Sequence, residues 1–149
     1  TALSVVLTGY CDKIDAIAEG VRVKMSEIVA ALKTKLTERL EEALAGPVAA
    51  KSALTREEAG ERIRQEVTLY ALKVDVDEEI NRLKTHTAEV RRVLQAGGAV
   101  GKRLDFLMQE MNREANTLGS KAAAIEMTDA SVNLKLLIEQ MREQIQNLQ

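Results

Sequence analysis

Two short runs concentrate the residues able to do chemistry. In DEEINRLKTH, Glu78 and Glu79 precede Arg82 by four and three residues, and His86 follows Arg82 by four. On a helix these spacings align two carboxylates, a guanidinium and the chain's single imidazole along one side. Hydrolysis of a phosphodiester needs a base for the attacking oxygen, an acid for the leaving oxygen and positive charge around the phosphorus. An imidazole can fill either proton role near neutral pH. Carboxylates can hold a divalent cation that clamps phosphate, and Arg82, Arg103 and Arg113 offer charge for the developing anion. On spacing alone a plainer reading competes. Glu–Arg pairs of this kind are commonly solvated and worth about a few tenths of a kcal/mol, and a solitary histidine often has no catalytic duty.

The second run is GGAVGKRLDFLMQEMNREANTLGSK, from Gly97 to Lys121. Leu104, Leu107, Met108, Met111, Ala115 and Leu118 recur at the helical period and make one apolar stripe. The other positions carry Arg103, Asp105, Gln109, Glu110, Asn112, Arg113, Glu114, Asn116 and Lys121. Asn and Asp are mediocre helix formers because their side chains compete for nearby backbone groups. At about 100° per residue, Asp105, Gln109, Asn112 and Asn116 fall on one flank of the stripe, and Arg103, Glu110, Thr117 and Lys121 on the other. Phe106 and Arg113 lie opposite the stripe. Two readings stay open for Phe106: packing into a neighbouring helix or subunit, or stacking on a nucleobase while Arg113 grips a phosphate. Asp105 and Glu110 are hard oxygen ligands suited to Mg or Mn. They project to different faces, so a shared ion would need Glu78, Glu79 or His86 from elsewhere. The alternative is that Arg103, Glu110 and Glu114 form structural ion pairs. The glycines lack the GxxxxGK[ST] spacing of a nucleotide-binding loop.

The elements that must position these residues read as helices throughout. Leu3, Leu7, Tyr10, Ile14, Ile17, Val21, Met25, Ile28, Leu32, Leu36 and Leu44 predict one helix of about 40 residues, on the order of 60 Å long. Gly46-Pro47 ends it, residues 47–55 form a linker, and Thr55 with Glu58 offers a capping box. A second helix has Ile63, Val67, Tyr70 and Val74 as its stripe, with a bend or restart expected near Asp75 to Glu78. The stripe resumes with Ile80, Leu83, Thr87, Val90 and Leu94 and stops at Gly97-Gly98. The next helix begins near Val100 to Lys102 and breaks around Gly119-Ser120. A last helix carries Leu134, Leu137, Ile138, Met141, Ile145 and Leu148. The expected fold is all-α: four or five long antiparallel helices in an elongated bundle or coiled-coil-like arm, and oligomeric. The expected division is an arm over 1–46, a linker over 47–55 and a helical domain over 56–149.

Composition narrows the classes. Tyr10, Tyr70 and Phe106 are the only aromatics among 149 residues, and there is one Pro and no Trp. Buried positions then contribute less each, so helices must gain area by length or by assembly. A net charge of −2 argues against a generally basic surface, leaving local Arg and Lys clusters for any nucleic acid. Cys11 stands alone, so no disulfide framework is expected, consistent with a reducing cytoplasm. No run approaches the length of a membrane span.

The Gly97–Lys121 run, together with NLKLLIEQMREQIQNLQ and RQEVTLYALKVDVDEEINRLKTH, resembles the C-terminal part of the bacterial YicC-like proteins. The likeness covers about Arg64 to Gln149, and EEINRLKTH fits that family's E-E-x-x-R-L-x-x-H pattern. The resemblance implies a cytoplasmic endoribonuclease that depends on a divalent metal (Mn or Mg) and assembles into hexamers. It further implies that this chain is the helical C-terminal half, without the family's strand-rich N-terminal domain. On that basis His86, Glu78, Glu79 and Arg82 are the expected catalytic residues. Arg103, Phe106, Arg113, Asn116 and Lys121 are the expected RNA contacts, and Asp105 and Glu110 the expected metal ligands. The rival expectations are a non-catalytic oligomerisation scaffold and an RNA-binding module without hydrolysis.

Overall fold

The computed structural model describes residues 2–45 and 56–147, and all of their regular structure is helical. Four helices follow one another: α1 (Ala2–Ala45), α2 (Arg56–Ala96), α3 (Gly101–Ser120) and α4 (Ile125–Gln146). α1 runs unbroken for 44 residues through Gly9 and Gly20. The expected linker 47–55, the Thr55 cap and the Gly46-Pro47 stop lie outside the described residues.

The expected bend near Asp75 to Glu78 does not occur; α2 is one helix of 41 residues. The acids there are engaged in ion pairs instead of capping a new helix. Lys73 bonds Asp77 at 2.8 Å, and Arg82 bonds Glu78 at 2.7 Å, while Val76 between them is fully buried. At the far end the glycines act as expected. Gly97 and Gly98 have φ of +70° and +83°, the left-handed region where a residue without Cβ ends a helix at no steric cost.

The packing is up–down–up–down. Arg91 of α2 bonds Asp12 and Asp15 of α1, and Asn81 of α2 accepts a hydrogen bond from Arg22 of α1. A step forward on α1 therefore meets a step back on α2. Glu89–Arg103 and Asp75–Lys121 fix the same antiparallel sense between α2 and α3. Asp105–Arg142 and the Ser131 hydroxyl donating to the Ala115 carbonyl at 2.7 Å fix it between α3 and α4. α4 closes the ring against α1, so each helix packs on two neighbours. The core takes Leu7, Ile14 and Met25 from α1, Ile80 and Leu83 from α2, Met108 and Met111 from α3, and Leu134 and Met141 from α4, all fully or almost fully buried. Cys11 joins them, and burial pushes its thiol up to about 12.

The second-helix stripe is the clearest departure from expectation. Ile63, Val67, Tyr70 and Val74 are more than half exposed, and Leu69, Leu72 and Val76 pack inward in their place. α2 is apolar on two sides, and α1 covers the other one.

Candidate functional site

The polar flank of the α3 stripe faces α2, and the two helices build an edge of charged side chains between them. Arg103 lies at one end, bonded to Glu89 of α2. Lys121 lies at the other, 3.8 Å from Asp75. Midway, His86 Nε2 of α2 stands 3.0 Å from Glu114 Oε1 of α3. Glu110, one turn before Glu114, completes a cluster in which one ligand atom each from His86, Glu110 and Glu114 lies within 4.8 Å of the others.

α2 adds a second layer beside this cluster. Arg82 bonds Glu78 at 2.7 Å and Glu79 at 3.3 Å. Glu79 is nearly enclosed, whereas Glu78 and the guanidinium are open to solvent. The four expected catalytic residues, Glu78, Glu79, Arg82 and His86, thus share one side of α2, and Glu110 and Glu114 meet that side from α3.

Glu114 is the anomaly of the edge. Only 4% of its side chain is exposed, and its Oε1 accepts no aligned hydrogen bond despite the nearby imidazole. Burial pushes its carboxyl up to about 7, the neighbouring Glu110 and Glu79 carboxylates push the same way, and Arg82 opposes them. A carboxyl of that kind exchanges its proton near neutrality. The composition of the edge is itself informative. Three carboxylates, Glu79, Glu110 and Glu114, converge with one guanidinium, so a phosphate would be repelled unless a cation stood between. One histidine nitrogen and two carboxylates, of which Glu114 has an enclosed oxygen that accepts no hydrogen bond, bring three donors of metal-ligand type together.

Not every expected residue joins this cluster. Asp105 is on the opposite flank of α3, where it accepts from Gln109 at 3.2 Å and pairs with Arg142 of α4 at 3.9 Å. Phe106 is 58% exposed and Arg113 even more so, both on the outward surface of α3. Arg113 also pairs with Glu110 at 3.6 Å, which places it beside the cluster. Asn116 is exposed on the same helix. Glu89 was not expected to matter, yet Arg92 and Arg103 hold its carboxyl down to about 2, so it fixes both guanidiniums near the mouth of the edge.

Glu114 was not singled out as a ligand from the sequence. Its signal was its place on the wheel, at the border between the apolar stripe and the flank of Arg103, Glu110 and Lys121. A border position is where a charged side chain becomes enclosed without leaving the polar edge.

Residues 21–149 match the family model described as "Endoribonuclease YicC-like, C-terminal". The chain belongs to the YicC-like family. It is 55% identical over 89 residues to the "Probable endoribonuclease YicC" of Haemophilus influenzae, covering 60% of this chain and 31% of that protein. It is 37% identical over 139 residues to the protein of the same description from Clostridioides difficile, covering 93% of this chain and 45% of that protein. The chain therefore spans less than half the length of these curated relatives. The family match includes the whole α2–α3 edge, together with most of α1 and all of α4.

Proposed function

We propose that this chain is the helical half of a metal-dependent endoribonuclease, with its reactive centre on the α2–α3 edge. The observation that carries the reading is the enclosed Glu114 oxygen, facing His86 and Glu110 and accepting no hydrogen bond, in a chain of this family. His86, Glu110 and Glu114 would hold the ion. Asp105, turned toward α4, would take no part in it. A bound Mn or Mg would supply positive charge opposite the phosphate and make a water a better nucleophile. As ligands of that ion, His86 and Glu114 would be held unprotonated and would orient the ion and its water rather than carry a proton themselves. Arg82, braced by Glu78 and Glu79, offers its exposed guanidinium to a phosphate. Arg103 and Lys121, at the two ends of the edge, extend the positive track along the backbone, whereas Asn116 lies off it, on the Asp105 flank of α3. Phe106 and Arg113 lie on the outer surface of α3, where a base can stack beside a held phosphate.

Cytoplasmic location and a homo-oligomeric, hexameric assembly belong to the same reading. Among the described residues no helix is long and apolar enough to cross a membrane.

The test is cleavage of a labelled RNA with Mn or Mg, comparing the wild type with Glu110→Gln and His86→Ala. Loss of cleavage by about a hundredfold or more, with folding and RNA affinity retained, is the expected result. Full cleavage by Glu110→Gln would overturn the metal assignment. A second reading, an RNA-binding module without hydrolysis, is favoured by the exposure of Phe106 and Arg113. Salt-sensitive binding with no cleavage under either metal would select it.

A further inference from the structure

At the Gly97-Gly98 end of the α2–α3 edge, one carboxylate holds two guanidiniums. Arg92 of α2 grips Glu89 through Nε at 2.9 Å and through Nη2 at 2.5 Å. Arg103 of α3 sets its own Nη2 on the same Glu89 oxygen, Oε1. Two cations that share one oxygen stand side by side, although like charges repel. Both guanidiniums stay open to solvent, at 60% and 59% side-chain exposure. Among the described residues neither Nη1 group accepts a partner, and nor does Arg103 Nε.

The surroundings add positive charge and leave room. Lys102 precedes Arg103 in the first turn of α3 and pairs with no carboxylate among the described residues. That turn contains no acidic residue, and Val100 before it supplies no side-chain hydrogen bond, so its leading N–H groups are uncompensated. Beyond their chain neighbours, Gly97 and Gly98 have no atom within 4 Å of where a Cβ would stand, which keeps the approach over the turn open. Three cations against Glu89 leave an excess of two positive charges.

We propose that Arg92 and Arg103, paired on Glu89 with Lys102 beside them, bind a terminal phosphate monoester of the RNA. The assignment builds on RNA being the substrate. A monoester carries about −1.5 to −2 charges near neutrality and presents three free oxygens. An internal phosphodiester has one charge and two free oxygens, and so matches the site less fully. Each guanidinium is a planar fork that can grip two oxygens at once. Arg103 and Glu110 lie seven residues apart on one flank of α3, about 10 Å along the helix. That is roughly the length of three stacked nucleotides. An RNA anchored by its end therefore lays its first few linkages toward the His86–Glu110–Glu114 cluster. Phosphates at the 5′ and 3′ ends share this chemistry, and the test separates them.

The probe is a ten-nucleotide RNA labelled at an internal base and bound in chelator, so that no cut occurs. Anisotropy is expected to show about tenfold tighter binding when one end carries a phosphate than when both ends carry hydroxyls. The 5′-phosphate and 3′-phosphate forms, measured separately, identify the end. Arg92→Gln is expected to abolish the difference and leave the affinity for the hydroxyl form unchanged. Lys135→Gln, the same loss of charge on the exposed surface of α4, is expected to keep the difference. Circular dichroism checks that both variants fold. Equal affinity for all three RNAs, a difference that survives Arg92→Gln, or one that Lys135→Gln removes equally would overturn the end-phosphate site and leave the RNA reading intact. No binding of RNA in any form would overturn both.

Discussion

Replacing Glu114 by Gln, in chelator and without added metal, should change how stability depends on pH. The Glu114 carboxyl stands at about 7 in the fold, against an ordinary 4.5. Between those values the folded chain holds a proton that the unfolded chain has released. Stability is therefore fully present below about pH 4.5, falls as pH rises toward 7, and is flat above. At about 1.36 kcal/mol per pH unit the full shift amounts to roughly 3 kcal/mol. His86 and Glu110 are 22% and 23% exposed, so solvent reaches part of the cluster and screens it, and about 2 kcal/mol is the working figure. Gln cannot ionise. Urea titrations at pH 4 and pH 8 should show the stability of Glu114→Gln relative to wild type improving by about 2 kcal/mol between the two. Taking the difference between pH values cancels any packing cost of the amide. A change under about 0.5 kcal/mol, or one of opposite sign, would refute the enclosure of Glu114 by burial and carboxylate neighbours.

Other outcomes follow from the same geometry. Excess Mn should raise the melting temperature of the wild type by several degrees, since about a hundredfold excess over Kd contributes about 2.7 kcal/mol. The rise should be larger at pH 8 than at pH 5.5, because Glu114 must release its proton to bind, and calorimetry of Glu110→Gln should show it nearly abolished. Gly119→Ala should lose about 1–2 kcal/mol by thermal melting despite the better helix propensity of Ala. A Cβ there would stand 2.6 Å from Ser131 Oγ and force that hydroxyl off the Ala115 carbonyl. Phe106→Ala and Arg113→Ala should weaken RNA binding without changing the melting temperature, as both side chains are exposed. Arg113→Ala should also reduce the salt slope of binding by about one ion.

How much of this was legible in the sequence differs by element. The apolar period of α3 named its buried face correctly, since Leu104, Leu107, Met108, Met111, Ala115 and Leu118 are all buried. Gly97-Gly98 announced the end of α2, and the border near Gly119-Ser120 announced the end of α3. The stripe of Ile63 to Val74 was just as regular and turned out exposed. Periodicity identifies an apolar face but carries no information about whether a partner lies against it.

The sequence by itself determined the helical character, the turn at Gly97-Gly98 and the alignment of Glu78, Glu79, Arg82 and His86, because these depend only on local period and backbone preference. The bend it suggested near Asp75 to Glu78 is absent from α2. Only the tertiary structure decided that α3 brings Glu110 and Glu114 to His86, sends Asp105 toward Arg142, and closes Glu114 away from water. Those outcomes depend on how one helix is rotated and shifted against its neighbour. That is set by packing summed over the whole bundle, a property no single segment contains.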